Sequence, residues 1–261
     1  MSGAGIDNTK GTEEGLEFFK KNSEAFARSI SHKAGEDLNV LVDHLPASGR
    51  FRALDVATGT GFTAMKLAGL YDVVIGLDTT REMLNHAVTI SDEKSVNNLI
   101  FIIGRSEKMP FMDRTFDVVT CRRAAHHFID HEGFVRESKR VLRNGGTFGF
   151  VDMLSPDEDN KGLFNQFERI RDETHISAGT KKHWEDILVN EGFKIEFSQV
   201  TKEKMTFERW LSPVKADSLQ GKKCREYLET NEELKSLLSY NYKDDSLIKQ
   251  RLVLVAKAPE A

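Results

Sequence analysis

The chain has 261 residues, 39% of them hydrophobic, which suffices to bury a full core as one large domain or as one domain with an attached cap. Its 37 basic and 41 acidic residues leave a net charge of -4 with no long run of either sign, which argues against nucleic acid or a charged membrane surface as partner. Two cysteines, Cys121 and Cys224, make neither a disulfide framework nor a paired metal spacing, and no apolar leader or membrane-length stretch is present, so a cytoplasmic protein without metal or stable membrane association is expected.

Beyond a Gly- and Thr-rich leader, "EEGLEFFKKNSEAFARSIS" and "AGEDLNVLVDHL" carry apolar residues at helical spacing and predict two helices before Pro46. In the first of these, Phe18, Phe19 and Phe26 form a stripe that either covers a ligand or packs as core. Strands and helices then alternate: "FRALDVA" as strand, "FTAMKLAGL" as helix, "YDVVIGLD" as strand, "REMLNHAVTISDE" as helix, "NLIFIIG" and "TFDVVTC" as strands. A helix over "EGFVRESKRVL", a turn at Asn144, Gly145 and Gly146 and a strand "GTFGFVD" complete the series. The alternation predicts a doubly wound α/β sheet with its ligand crevice at the carboxyl ends of the strands, near Asp55, Asp78, Gly104, Cys121 and Asp152. Farther on, "LFNQFERIRDETH" and "KKHWEDILVNEG" read as helices, "FKIEFSQV" as a strand, Lys202 to Lys243 as a polar, helical insert, and "KQRLVLVAKA" as a last strand.

The stretch "LDVATGTGFTAM" joins the first strand to a helix and contains G-x-G-x-x-A. Counted from the strand end, however, the positions for the tight turn, the pyrophosphate approach and the helix packing are Ala57, Gly59 and Phe62, and a Phe does not permit the close packing a dinucleotide loop needs. Asp55 at the mouth of the loop opposes phosphates and suits a cation. S-adenosylmethionine (SAM) carries a sulfonium and an ammonium and no phosphate, and Asp78 at the end of the second strand has the two acceptors its ribose hydroxyls need. Asp78 is equally placed to cap the helix that follows.

The strings "LDVATGTG", "VIGLD", "GRSEKMPFMDRTFDVVTCRRAAHHF" and "RESKRVLRNGGTFGFVD" occur in the order and spacing of the class I SAM-dependent methyltransferases. They resemble most the branch of the ubiquinone/menaquinone C-methyltransferases, and "CRRAAHHF" is similar to a set of uncharacterised bacterial members. The resemblance covers about Ala53 to Asp152 and implies a seven-stranded, mostly parallel sheet with helical caps, SAM as cofactor, and methyl transfer to a small-molecule acceptor. By matching positions it implies that Asp55 and the backbone of Ala57, Gly59 and Gly61 hold the methionine portion, that Asp78 holds the ribose, and that Thr79 and Met83 lie beside the adenine. Arg105 stands where the family often has an adenine-binding acid and cannot accept that hydrogen bond, so either Ser106 and backbone groups serve the adenine edge or Arg105 faces solvent. Cys121 and Arg122, at the end of the fourth strand, are implied to lie near the transferring methyl.

Methyl transfer from a sulfonium is an in-line displacement, in which the protein's task is alignment and exclusion of water, helped by a base where the acceptor loses a proton. His126, His127, Asp152 and His175 are the candidate catalytic groups. Arg122 and Arg171 are candidates for the acceptor pocket, Arg171 and His175 being spaced to share a helix face. His127 and His131 stand at i, i+4, but no third metal ligand is evident. Two alternatives accompany this reading: an NAD-dependent oxidoreductase, and a SAM-binding regulatory or interaction protein without turnover. The organisation expected is residues 1–48 as helices over the site and 49–261 as the SAM-binding domain, with 155–192 and 202–243 as lid, acceptor-binding or homodimer elements.

Overall fold

In the computed structural model, which describes residues 35–47 and 49–260 together with Glu17 and Lys20, the alternating strands assemble into one seven-stranded sheet. The helix expected around Phe18, Phe19 and Phe26 lies outside the described residues. Strands β1 (Gly49–Val56), β2 (Tyr71–Asp78), β3 (Leu99–Ile103), β4 (Phe116–Arg122) and β5 (Leu142–Met153) run parallel. The last strand, β7 (Ser246–Lys257), is inserted antiparallel between β5 and β6 (Lys194–Thr206), giving the order β3-β2-β1-β4-β5-β7-β6. Strand order reverses between β1 and β4, and a crevice opens at the carboxyl ends of the strands at such a switch point.

Both sheet faces are covered, and the pleat divides the core between them. Ala53, Val118, Val151, Val253 and Val255 join one cluster with Leu41 of α1 (Glu36–Asp43) and Ala64 and Leu67 of α2 (Phe62–Ala68). Their neighbours in the chain, Leu54, Val119, Phe150, Leu252 and Leu254, face the other side. There they meet Phe134 and Val135 of α4 (His131–Val141) and Trp184, Ile187 and Leu188 of α6 (Lys181–Asn190). Successive side chains of a strand point to opposite faces, so the apolar runs that read as buried strands are what a sheet covered on both sides requires. Helix α3 (Arg81–Glu93) covers the span foreseen for it between β2 and β3.

The chain beyond β5 departs from expectation in two places. Helix α5 (Leu163–Arg171) ends before "DETH", because Asp172 turns its carboxylate back on Thr174, accepting from the backbone N–H at 3.0 Å and the hydroxyl at 2.6 Å. This local pairing competes with helix propagation, so Arg171 and His175 do not share a helix face. Strand β6 continues to Thr206, well past "FKIEFSQV", because it stays paired with β7 as far as Thr206 opposite Ser246. On this extension Met205 and Leu247 support a separate cluster from α5, α7 (Phe207–Leu211), α8 (Leu219–Glu229) and α9 (Glu232–Leu237), in which Phe167 stacks on Trp210 at 4.0 Å.

Phe134 is fully buried with its ring 4.9 Å from that of Phe128 and 5.8 Å from that of Phe148, and it ties α4 to the sheet beneath the site. Phe134→Ala is expected to lower the unfolding free energy by about 3–5 kcal/mol, read from the denaturant midpoint at unchanged slope. A midpoint within experimental scatter of the parent would contradict this placement of the core.

Candidate functional site

The loop after β1 is shaped by its backbone before any side chain acts. Ala57 (φ 53), Gly59 (φ 54) and Gly61 (φ 81) all adopt the left-handed conformation. A Cβ on Gly61 would approach the Phe101 ring to 3.0 Å and the Ala87 methyl to 3.1 Å, so only glycine lets the start of α2 lie this close to β3 and α3. A Cβ on Gly59 would meet nothing within 4 Å, since that residue borders a cavity of about 380 Å³.

Two buried acids brace the loop. Asp55 accepts hydrogen bonds from the hydroxyls of Thr58 (2.6 Å) and Thr120 (2.7 Å), and burial pushes its carboxyl up to about 6. Asp78 accepts from the backbone N–H of Gly59 at 2.8 Å and of Thr80 at 2.9 Å, and burial also holds it above the carboxylate range. The Thr80 hydroxyl and the backbone N–H of Thr79 also act on this carboxylate, so Asp78 is engaged by both the loop and the entry to α3. The helix-capping alternative is met only in part, because the carboxylate fastens the loop as well as the entry to α3.

The cavity runs from this loop past the ends of β2, β3 and β4. Ala57, Gly59, Asp78, Thr79, Met83 and Ser106 line it, as do Arg122, His127, Phe128, Ile129 and Thr174. Asp55, Gly61 and Cys121 stand behind this lining, as do His126, Asp152 and His175; Arg171 belongs to a different environment. Burial and the charges of Asp152, Asp55 and Asp78 push the Cys121 thiol well up, which makes it an inert wall rather than a nucleophile. Arg105 also borders the cavity, with its side chain 54% exposed and 3.8 Å from Glu107, which lines the cavity too. Glu107 is a carboxylate that the "GRSEKMPF" string offered and the position-by-position comparison overlooked.

The histidines after β4 gather in one place. His126 sits on Asp152 through Nδ1 at 2.7 Å, and Asp152 also accepts from the backbone N–H of His126 and of Met153. The His126 ring lies 4.0 Å from that of His127 and 5.6 Å from that of His175. His175 donates from Nε2 to Asn165 Oδ1 at 2.7 Å, while its buried Nδ1 has no hydrogen-bond partner among the described residues. Burial pushes Asp152 up, but the adjacent His126 more than offsets this and holds it below the usual carboxylate range. His127 and His131 turn apart, His127 toward Thr174 and His131 toward His183 at 2.9 Å. Among the described residues no three potential ligands assemble a metal site.

Arg122 and Arg123 both reach Asp37 of α1, at 2.8 and 2.6 Å. Burial raises the Asp37 carboxyl, yet Arg123 and Arg122 pull it below its ordinary range. No sequence signal marks this contact, which spans most of the first half of the chain. Arg171 is bound to Glu168 at 2.7 Å and lies over the Trp210 ring at 5.5 Å, in the cluster beyond β6.

Carboxylate and hydroxyl acceptors, guanidinium groups and a glycine edge open to the cavity fit a zwitterionic nucleoside ligand such as SAM. The comparisons agree with the geometry. The family described as "Methyltransferase domain" matches residues 54–150. The uncharacterized methyltransferase YcgJ of Bacillus subtilis is 33% identical over 201 residues, covering 77% of this chain and 76% of its own. Its crystal structure superposes with a TM-score of 0.81 at 26% identity, covering 87% of this chain and all of that one. A putative methyltransferase from Bacillus halodurans gives 0.80 at 30% identity, covering 86% of this chain and 100% of that one. The demethylmenaquinone methyltransferase of Thermotoga maritima is 35% identical over 107 residues, 40% of this chain and 44% of that one. The chain belongs to the class I SAM-dependent methyltransferases. It is an enzyme of that class with SAM as its cofactor. Among the described residues no helix is long and apolar enough to cross a membrane.

Two expectations follow from the charges. Burial pushes His131 down to about 4 and His175 down to about 3, below their ordinary 6.5, so the unfolded chain binds more protons as the pH falls through 6.5. Each histidine is expected to remove on the order of 2–3 kcal/mol of stability between pH 6.5 and 4, seen as a falling melting temperature. His175→Asn should flatten that slope. Asp55 has the opposite sign: its folded value of about 6 lies above the ordinary 3.8, so stability falls as pH rises through that window. Asp55→Asn is therefore expected to stabilise the protein at neutral pH, by up to about 2–3 kcal/mol, while weakening binding of a sulfonium ligand in calorimetry. A variant that is both less stable and undiminished in binding would refute this account of the acid.

Proposed function

We infer that the protein transfers a methyl group from SAM to a small-molecule acceptor held at the end of the cavity bordered by His127, Phe128, Ile129 and Thr174. The observation that carries this reading is the continuity of one cavity from the glycine loop and Asp78 to that mixed imidazole, aromatic and hydroxyl wall. When bound, SAM supplies a methyl carbon on a sulfonium sulfur, which keeps the bonding pair on release.

The chain's own residues do the rest. The backbone of Ala57 and Gly59 and the Asp55 carboxylate behind it receive the cationic amino-acid portion, and Asp78, which lines the cavity, receives the ribose hydroxyls. Ser106 and Glu107 supply polar groups to the adenine edge where Arg105 cannot accept. At the other end Phe128 and Ile129 exclude water and accommodate an apolar body, while His127 and Thr174 supply the polar contacts. Segment 155–192 takes part in closing this end, since the turn carrying Thr174 is held there by His126, whose carbonyl accepts from the N–H groups of Ile176 and Ser177.

Calorimetry with S-adenosylhomocysteine, the demethylated product, tests the cofactor half of this reading. The parent should bind it and give no heat with NAD. Asp78→Ala should weaken binding by about 1.5–3 kcal/mol, the worth of hydrogen bonds to a charged group, while remaining folded. Unchanged affinity with a collapsed melting temperature would reduce Asp78 to a fastener of the loop.

A further inference from the structure

The loop between β3 and β4 brings Gly104, Arg105, Ser106 and Glu107 to the cavity and then folds back on itself. A Cβ on Gly104 would meet Leu77 Cδ1 at 2.6 Å and Pro110 Cδ at 3.0 Å, so Pro110 lies directly against the cavity-lining stretch. Much of what holds Pro110 there comes from outside the loop. Its neighbours Met109 and Phe111 are gripped through their backbone by two side chains of α4, Glu137 and Arg140, which share a face of that helix.

Every N–H of the Arg140 guanidinium has an acceptor. Nε donates to Glu137 Oε1 at 2.7 Å, and Nη2 donates to Glu137 Oε2 at 2.8 Å and to the Met109 carbonyl at 3.0 Å. Nη1 donates to the Phe111 carbonyl at 2.7 Å and to Asp113 Oδ1 at 2.8 Å. Glu137 Oε2 in turn accepts from the Met109 N–H at 2.8 Å. The pair therefore holds both backbone groups of Met109 and the carbonyl of Phe111, on either flank of Pro110. The hydrogen bond from Arg140 keeps the Glu137 carboxyl below its ordinary range, so the pair stays ionised at neutral pH. A planar fork with all its donors engaged admits few other arrangements of its acceptors.

We propose that Glu137 and Arg140 are positioning residues for the cofactor: by fixing residues 109–111 they set, through Pro110, the course of residues 104–107 along the nucleoside wall of the cavity. Neither side chain lines the cavity, so the effect on SAM is exerted through the loop. The inference rests on the reading that Asp78 and Ser106 face the nucleoside. Without the pair, the loop has to be ordered when the cofactor binds, and that cost is subtracted from affinity.

Calorimetry on the full chain, well below its melting temperature, tests this with two ligands. These are S-adenosylhomocysteine and 5′-methylthioadenosine, which keeps the nucleoside and lacks the amino-acid portion. Arg140→Ala and Glu137→Ala should weaken both ligands by the same factor, on the order of tenfold, the cost of ordering a loop on binding. Glu137→Gln retains an acceptor for the Met109 N–H and should stay within about threefold of the parent. Arg140→Lys should remain as weak as Arg140→Ala, because an ammonium lacks the fork that reaches both loop carbonyls and Glu137. Arg143→Ala, which removes the Arg143–Asp117 ion pair at 2.7 Å and touches no part of this loop, should bind both ligands like the parent. A lowered melting temperature with parental affinities in the Arg140 and Glu137 variants would make the pair a merely structural contact and overturn the proposal. Weakening of S-adenosylhomocysteine alone would overturn the assignment to the nucleoside wall. Should Arg140→Ala not fold, Arg140→Lys carries the test, and parental affinity for both ligands in that variant overturns the clamp. Failure of the parent to bind either ligand would overturn the cofactor reading and the clamp with it, whereas parental binding with unchanged variants overturns the clamp alone.

Discussion

A carboxylate with almost no access to water stands where the strand order reverses, and the shape of the cavity depends on it. Asp55 is 1% exposed and is held by two threonine hydroxyls, one from the glycine loop and one from β4. Asp78 performs the parallel service from β2, anchoring the N–H of Gly59. Two acids desolvated this far oppose folding at neutral pH, and both are raised in consequence. The arrangement is intelligible as stability given up for a glycine loop whose shape is set before any ligand arrives, with little rearrangement left to make.

The histidine cluster after β4 is built on a different principle. Its polar groups are imidazoles whose tautomers are dictated by carboxylate or carbonyl neighbours: His126 by Asp152, His127 by Thr174 and, beyond it, Asp172. Ile176 and Ser177 donate to the carbonyl of His126, so the turn that ends α5 and the turn that follows β4 form one unit. Early termination of α5 at Asp172 is what permits this, because a helix continued through His175 would carry Thr174 on its surface instead of presenting its carbonyl and hydroxyl to His127.

Arg171 shows how a residue near a site in sequence can serve another end. Its guanidinium, Trp210 Nε1 and Lys249 Nζ all converge on Glu168, which is fully buried. Burial pushes the Glu168 carboxyl up, but Lys249 and Arg171 outweigh it and hold the group well below the usual range. An ion cluster of this kind adds little net stability but tolerates few alternative arrangements, so it fixes how α5, α7 and β7 register against each other. The position of the Asp172–Thr174 turn rests on that register.

The sequence by itself determined the sheet, the glycine loop and the cofactor class. Those signals are local: buried parallel strands read as apolar runs, α3 keeps its helical period from Arg81 to Glu93, and Asp55, Gly59, Gly61 and Asp78 lie within one strand–turn–helix–strand unit. The count of seven strands was implied by the family resemblance, and the antiparallel place of β7 between β5 and β6 was decided by the fold. What tertiary structure decided is the side of the site away from the loop. Asp37 reaches Arg122 and Arg123 from α1, Thr174 reaches His127 from the segment that follows β5, and Glu107 borders the cavity beside Arg105. None of these contacts leaves a periodic trace in the chain, since each depends on where two separately folded elements come to rest. The "RIRDETH" string, compatible with one continuous helix in sequence, was divided between a buried ion cluster and the cavity wall by a single side chain, because the Asp172 carboxylate binds Thr174 instead of leaving that N–H to the helix.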